Sequence, residues 1–186
     1  MANQVMRNQI ADYIDTSGMN GASENYELMG LGFTKVDEDP GAKTKSKTYI
    51  NESSATSKVD SYESKFKYES DLIKESKAGM YIYNVVHDRK TGEDAQTHYV
   101  RVDLFAPVNS TTNNTAFRAR KFNVSIVGDS VEGDGGEGVT FSGDLEGIGD
   151  PILGTFDVKM KTFTPDSTTD TTSPTASTGP GNNSHL

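Results

Sequence analysis

The sequence predicts a mainly β domain with one helix, a long basic arm and a C-terminal extension that does not fold with the rest. Three observations lead there. Short segments alternate apolar and polar residues with period two, as half-buried strands do. Clusters of Gly, Pro, Asp, Asn and Ser separate them. The hydrophobic fraction is low, 33% of 186 residues, and the mean hydropathy is -0.62. Counted with Gly and without Tyr it is roughly 38%, against about 45–50% in a typical soluble domain. So thin a core suits a two-layer β fold, or a subunit that completes itself by oligomerising.

Taken in order, residues 7–15 ("RNQIADYID") read as a short strand and 16–25 as a loop. Residues 26–36 ("YELMGLGFTKV") are apolar on both parities, which predicts one strand covered on both sides. "DEDPG" (37–41) is a turn. Residues 42–61 are polar and Lys-rich, with Lys43, Lys45 and Lys47 alternating with Thr44, Ser46 and Thr48. If extended, this arm carries three ammonium groups on one side. Residues 62–68 alternate Tyr62, Phe66 and Tyr68 against Glu63, Lys65 and Lys67, a half-buried strand. Around residues 71–94, Ala78, Ile82 and Val86 fall at helical spacing, and Gly92 after a basic cluster reads as a helix stop. Residues 97–105 form a strand with His98, Val100, Val102 and Leu104 together. Residues 116–127 form another, with Phe122, Val124 and Ile126 together. "GDSVEGDGGEG" (128–138) is an acidic hairpin loop. After it Val139, Phe141 and Leu145 point inward, and Thr140, Ser142, Asp144 and Glu146 outward. "GDP" (149–151) reads as a turn before a last strand on which Phe156, Val158 and Met160 share one parity. Residues 166–186 are rich in Ser, Thr, Pro, Gly and Asn and are expected to be disordered.

The net charge of -9 argues against a stable, sequence-independent grip on nucleic acid, though not against brief passage of DNA. Cysteine is absent, which removes disulfides, thiolate chemistry and Cys-type zinc sites. No apolar run approaches a membrane span, so no membrane insertion is expected. "MANQVMRNQIADYID" has no apolar segment of the signal-peptide kind. His98 lies on an apolar strand face, His87 near a helix end and His185 in the extension, and no two have metal-ligand spacing. In the acidic loop, Asp129, Glu132, Asp134 and Glu137 miss the EF-hand pattern, because Val131 and Gly133 stand where ligands belong. "GDGGEG" lacks the Lys and helix of a phosphate loop, and "GLGFTKV" is no dinucleotide fingerprint. No catalytic, cofactor or metal site is expected. A β domain with a basic arm, acidic surfaces and little core has the profile of a part that assembles.

Several stretches, in order, resemble the major tail (tail tube) proteins of long, non-contractile-tailed bacteriophages (siphophages) and prophages. They are "RNQIADYI", "YELMGLGFTKVDEDPGAKTKSKTYIN", "SYESKFKYE", "HDRKTGEDAQTHYVRVDLF", "AFRARKFNVSI" and "GDPILGTFDVKMKTFTP". The likeness covers about residues 4–165 and rests on the ordered set, not on one motif. It implies a β-sandwich or barrel-like subunit with a flanking helix, spanning residues 1–165, and leaves 166–186 as an extension. It further implies hexameric rings stacked into a tube, an extended loop (39–60) that reaches the next ring, and assembly around a tape-measure protein. Tail terminator and distal tail proteins would be end partners, the virion the location and the host cytoplasm the place of assembly. The genome would pass through the channel as double-stranded DNA.

Within that frame Lys43, Lys45 and Lys47 are candidates for ring stacking, with Glu132, Asp134 and Glu137 as their acidic counterparts. Asp144 and Glu146 are candidates for the channel wall. The competing reading is a secreted or surface β-sandwich module for adhesion or carbohydrate binding. Against it stand the missing signal segment and the absence of Trp. A related tube from a secretion machine shares the ring logic.

Overall fold

In a computed structural model of the chain, residues 4–51, 53–108 and 115–166 are described. They form ten strands and one α-helix: β1 (Ile10–Asp15), β2 (Tyr26–Leu28), β3 (Phe33–Asp39), β4 (Ala42–Lys47), β5 (Thr56–Tyr62), β6 (Lys65–Asp71), α1 (Lys77–His87), β7 (Gln96–Pro107), β8 (Ala116–Glu132), β9 (Thr140–Asp157) and β10 (Thr162–Pro165). Eight strands make one antiparallel sheet in the order β2-β1-β7-β8-β9-β6-β3, with β10 also paired to β9. β4 and β5 form a separate two-stranded ribbon. The chain is mainly β with one flanking helix, as the sequence predicts. The extension begins at the end of β10, and residues 167–186 lie outside the described residues.

The sheet curls so that its edge strand β3 lies across from its middle. Glu38 of β3 accepts both Arg120 hydrogen bonds from β8, at 2.7 and 2.8 Å. Arg7, in a 3-10 turn before β1, donates to the Val36 carbonyl at 3.3 Å. The concave face holds the main core: Ile14, Val36, Phe66, Tyr68, Tyr99, Phe122, Val124, Ile126, Phe141 and Leu145 are all buried. The Phe66 ring centroid lies 4.5 Å from that of Tyr99, tilted, and 4.8 Å from that of Phe122, edge-on, joining β6 to β7 and β8.

α1 covers the concave face with Ala78, Gly79, Ile82 and Val85, spaced to line one helix side. Ser76 caps its N-terminus, accepting from the Gly79 amide. Its C-terminus closes earlier than Gly92: Arg89 adopts φ 50°, and the Lys90 amide reaches back to the Val85 carbonyl at 3.1 Å. That is a Schellman closure with a non-glycine residue in the left-handed position. Gly128 lets the helix come close, since a Cβ there would lie 2.3 Å from Val86. A second cluster, Tyr13, Tyr26, Val100, Val102, Ala119 and Phe156, is buried on the opposite face.

Several segments differ from the sequence reading. Residues 26–36 are two strands, not one: β2 and β3 lie on opposite edges of the sheet, joined by a turn at Gly32. Tyr62 does not share the buried face of Phe66 and Tyr68. It ends β5, 57% exposed, and the chain turns before β6. "GDP" does not end a strand. β9 runs through it, and residues 149–151 oppose Phe122 alone, a bulge made possible by Gly149 at φ 72°. The last strand stops at Asp157, whose carboxylate accepts the Lys159 and Met160 amides and turns the chain into β10. Met160 is therefore exposed, while Phe156 is fully buried. Val139 is also exposed, at the rim beyond Phe141.

Candidate assembly surfaces

The arm is an antiparallel ribbon folded back on itself. β4 continues β3 and β5 runs into β6, so arm and sheet edge are one long hairpin bent at Pro40-Gly41. Gly41 takes φ 59°, and a Cβ there would lie 2.1 Å from the Glu63 carbonyl oxygen. Only glycine fits this bend. Every residue of β4 and β5 is exposed. Lys45 pairs with Asp60 at 2.5 Å within the arm, and Lys43 with Glu63 at 3.1 Å at its base. Lys47 has no carboxylate partner among the described residues and lies 5.1 Å from the Tyr49 ring centroid.

Glu132 ends β8, and Asp134 and Glu137 occupy the loop to β9, where the Glu137 amide donates to the Asp134 carbonyl at 3.0 Å. None of the three forms an ion pair among the described residues. β6 places this loop relative to the arm. Lys65 of β6, next to the arm, pairs in register with Glu146, and Asp71 at its far end pairs with Thr140, beside the acidic loop. At about 3.3 Å per residue, the two lie roughly 20 Å apart at opposite ends of the same strand.

Asp144 and Glu146 do face outward, on the polar side of β9, but not as free charges. Lys65 reaches both, at 3.6 and 2.9 Å. Lys35 likewise meets Glu69 at 3.1 Å and Asp37 at 3.7 Å on the same outer face of β3 and β6. This face is a ladder of opposed charges, uncovered among the described residues.

Two buried polar clusters carry no signature in the sequence. Asp12 of β1, 2% exposed, accepts from Arg7 and from the Tyr99 hydroxyl, and Arg101 lies 3.7 Å from it and 3.5 Å from Glu38. β7 is buried on both parities: Tyr99 and Arg101 face the concave side, Val100 and Val102 the other. His98 shares the face of Val100 and Val102, and its Nδ1 lies 3.1 Å from Asp15. Burial alone would raise the Asp15 carboxyl, but hydrogen bonds from His98, Ser17 and Asn25 hold it below the ordinary carboxylate range. A carboxyl lowered in the folded state stabilises the fold above its unfolded value of about 3.9, and that contribution is lost as pH falls through the folded value. Asp15→Asn is therefore expected to flatten the acid limb of a plot of Tm against pH. Melting curves from neutral to acid pH check this; an acid limb as steep as the wild type's would refute it.

Among the described residues, no group of three or more His, Asp or Glu side chains could hold a metal ion. No described helix is long and apolar enough to cross a membrane.

No protein-family model matches the chain, and no curated protein matches it. Solved structures do. The tail of an empty GTA particle, computed with helical refinement and C6 symmetry, is similar with a TM-score of 0.53 and 8% identity over 81% of this chain and 98% of that one. The SPP1 tail tube is similar with a TM-score of 0.51 and 15% identity over 81% of this chain and 78% of that one. A chain of the anti-feeding prophage baseplate is similar at a TM-score of 0.48 and 8% identity, over 86% of this chain and 99% of that one. At such identities the likeness speaks to architecture: the chain has the fold of a phage tail tube subunit.

Proposed function

We propose that the protein is a structural tail tube subunit that forms hexameric rings, which stack into the channel for genome delivery. The observation that carries this reading is the unburied basic arm on a tail-tube fold, leaving the body about 20 Å from an acidic loop that forms no ion pair among the described residues. A two-stranded ribbon is marginally stable alone in water, so the arm calls for a surface outside its own subunit. Opposite charges at opposite ends favour head-to-tail contact between copies, which propagates a stack. The similarity to a tail solved with C6 symmetry supports six subunits per ring. The tape-measure protein, the tail terminator and the distal tail proteins are the partners this role entails, and the virion its location. Asp144 and Glu146 belong to the channel wall in this reading. DNA carries one charge per ~1.7 Å of duplex axis, and Asp144 and Glu146 offset Lys65 and the exposed Lys67 beside them, so this stretch presents no excess of cations to grip it.

Negative-stain microscopy of the concentrated protein is expected to show tubes with sixfold end views. Monomers at every concentration would overturn the proposal. The stacking charges have their own test. Changing Lys43, Lys45 and Lys47 to Glu is expected to slow assembly, and changing Glu132, Asp134 and Glu137 to Lys in the same protein to restore part of it. Exposed pairs contribute only about 0–1 kcal/mol each, but the contact repeats in every subunit. No rescue would remove the pairing and leave the arm's role standing.

A further inference from the structure

The arm ends in exposed apolar side chains. Ile50 is fully exposed at the tip and Tyr49 is half-exposed beside it. At the opposite end of the body, the acidic loop flanks a small apolar rim. Val131 is 50% and Val139 41% exposed. Val131 pairs in register with Phe141, so the rim continues from the edge of the main core. Gly135, Gly136 and Gly138 of the loop have open space where a Cβ would be, so no side chain from these positions shields the two valines.

The charges around the two patches are complementary. Lys47, beside the tip, has no carboxylate partner in its own chain among the described residues. Glu132, Asp134 and Glu137, beside the rim, form no ion pair among the described residues. Roughly 20 Å of strand separates the rim from the arm's base, and the arm leaves the body at that far end. The occupant that matches in both respects is therefore the arm of a second copy.

We infer that Tyr49 and Ile50 of one copy seat on the Val131–Val139 rim of the next, with Lys47 facing Glu132, Asp134 and Glu137. This rests on the proposed tube role and names the contact that holds one ring to another. Apolar packing fixes the position, and the charges select the partner and speed the encounter. The contact is heterologous, tip to rim, so it extends a stack and does not close on itself.

The absence of cysteine makes the test clean. Assembled Ile50→Cys/Val139→Cys protein is treated with a mild oxidant and run on a denaturing gel. A disulfide forms only where Cβ atoms come within about 4.5 Å. The expected result is a ladder of covalent multimers, whereas each single-cysteine variant stops at the dimer. A second variant, Tyr49→Ser/Ile50→Ser, touches no buried residue and keeps the body's circular dichroism. It is expected to raise the critical concentration for tube growth about tenfold or more, as the loss of one well-buried aliphatic anchor predicts. Tubes without a ladder, or a serine variant that assembles at the wild-type concentration, would overturn the tip-to-rim contact and leave the tube role intact. Failure of the wild type to form tubes would overturn both.

Discussion

Removing residues 43–57 is expected to abolish tube growth and leave the body folded. Among the described residues the arm contributes no buried side chain, and Lys43 and Lys45, which pair with Glu63 and Asp60, are exposed. Substitutions away from buried features change stability by only about 0.5 kcal/mol, and the body's core gains nothing from this ribbon. The hairpin can still close at its base, where the Glu63 amide donates to the Gly41 carbonyl at 3.1 Å. Circular dichroism and thermal melting should match the wild type, while sedimentation and microscopy show no tubes. Loss of the β signal would mean that the arm supports the body; normal tubes would mean that stacking does not need it.

Asp12→Ala is expected to be the most damaging single change, at about 3–5 kcal/mol. The Asp12 side chain is 1% exposed and that of Arg101 is 8% exposed. Removing the carboxylate leaves a buried guanidinium with Glu38 as its one carboxylate partner among the described residues and deprives the Tyr99 hydroxyl of its acceptor. A buried charge left alone costs more than the pair contributes. Arg101→Met in the same protein should therefore recover part of the loss. Denaturant titration followed by circular dichroism checks both. A change of less than about 1 kcal/mol, the range of an exposed pair, would show that the network is not structural.

The strands that read best in the sequence were those with one wet face. Phe122, Val124 and Ile126 on β8 are buried together, as period two requires. α1 was legible from Ala78 and Ile82, although its stop was not, because Arg89 takes a conformation usually left to glycine. The misread segments share a cause: local turn chemistry is only a tendency, and the neighbours decide. Gly149-Asp150-Pro151 would turn a free strand, yet with β8 alongside, the ladder resumes on both sides and the same residues become a bulge. Gly30 and Gly32 are a turn signal, but they sit inside a run that is apolar on both parities, so the break between β2 and β3 was masked by the pattern of a covered strand. The outward parity of Asp144 and Glu146 was visible, but their tie to Lys65 was not, because it crosses strands 79 and 81 residues apart in the sequence. Asp12, Arg101 and Glu38 were unreadable for the same reason. Alternation assigns charged residues to the wet face, and only the curl of the sheet brings these three together.

The bend at Gly41 gives the arm a mechanical character. β3 and β4 are separated only by Pro40 and Gly41, and β5 and β6 only by Glu63 and Ser64, so no flexible linker stands between arm and body. A pull on the tip travels along covalent backbone into β3 and β6. There it loads the antiparallel ladder to β9 in shear, so that the hydrogen bonds from Lys65–Glu146 to Asp71–Thr140 share the force and do not open one at a time. A tube joined through such arms would resist stretching with the strength of its sheets.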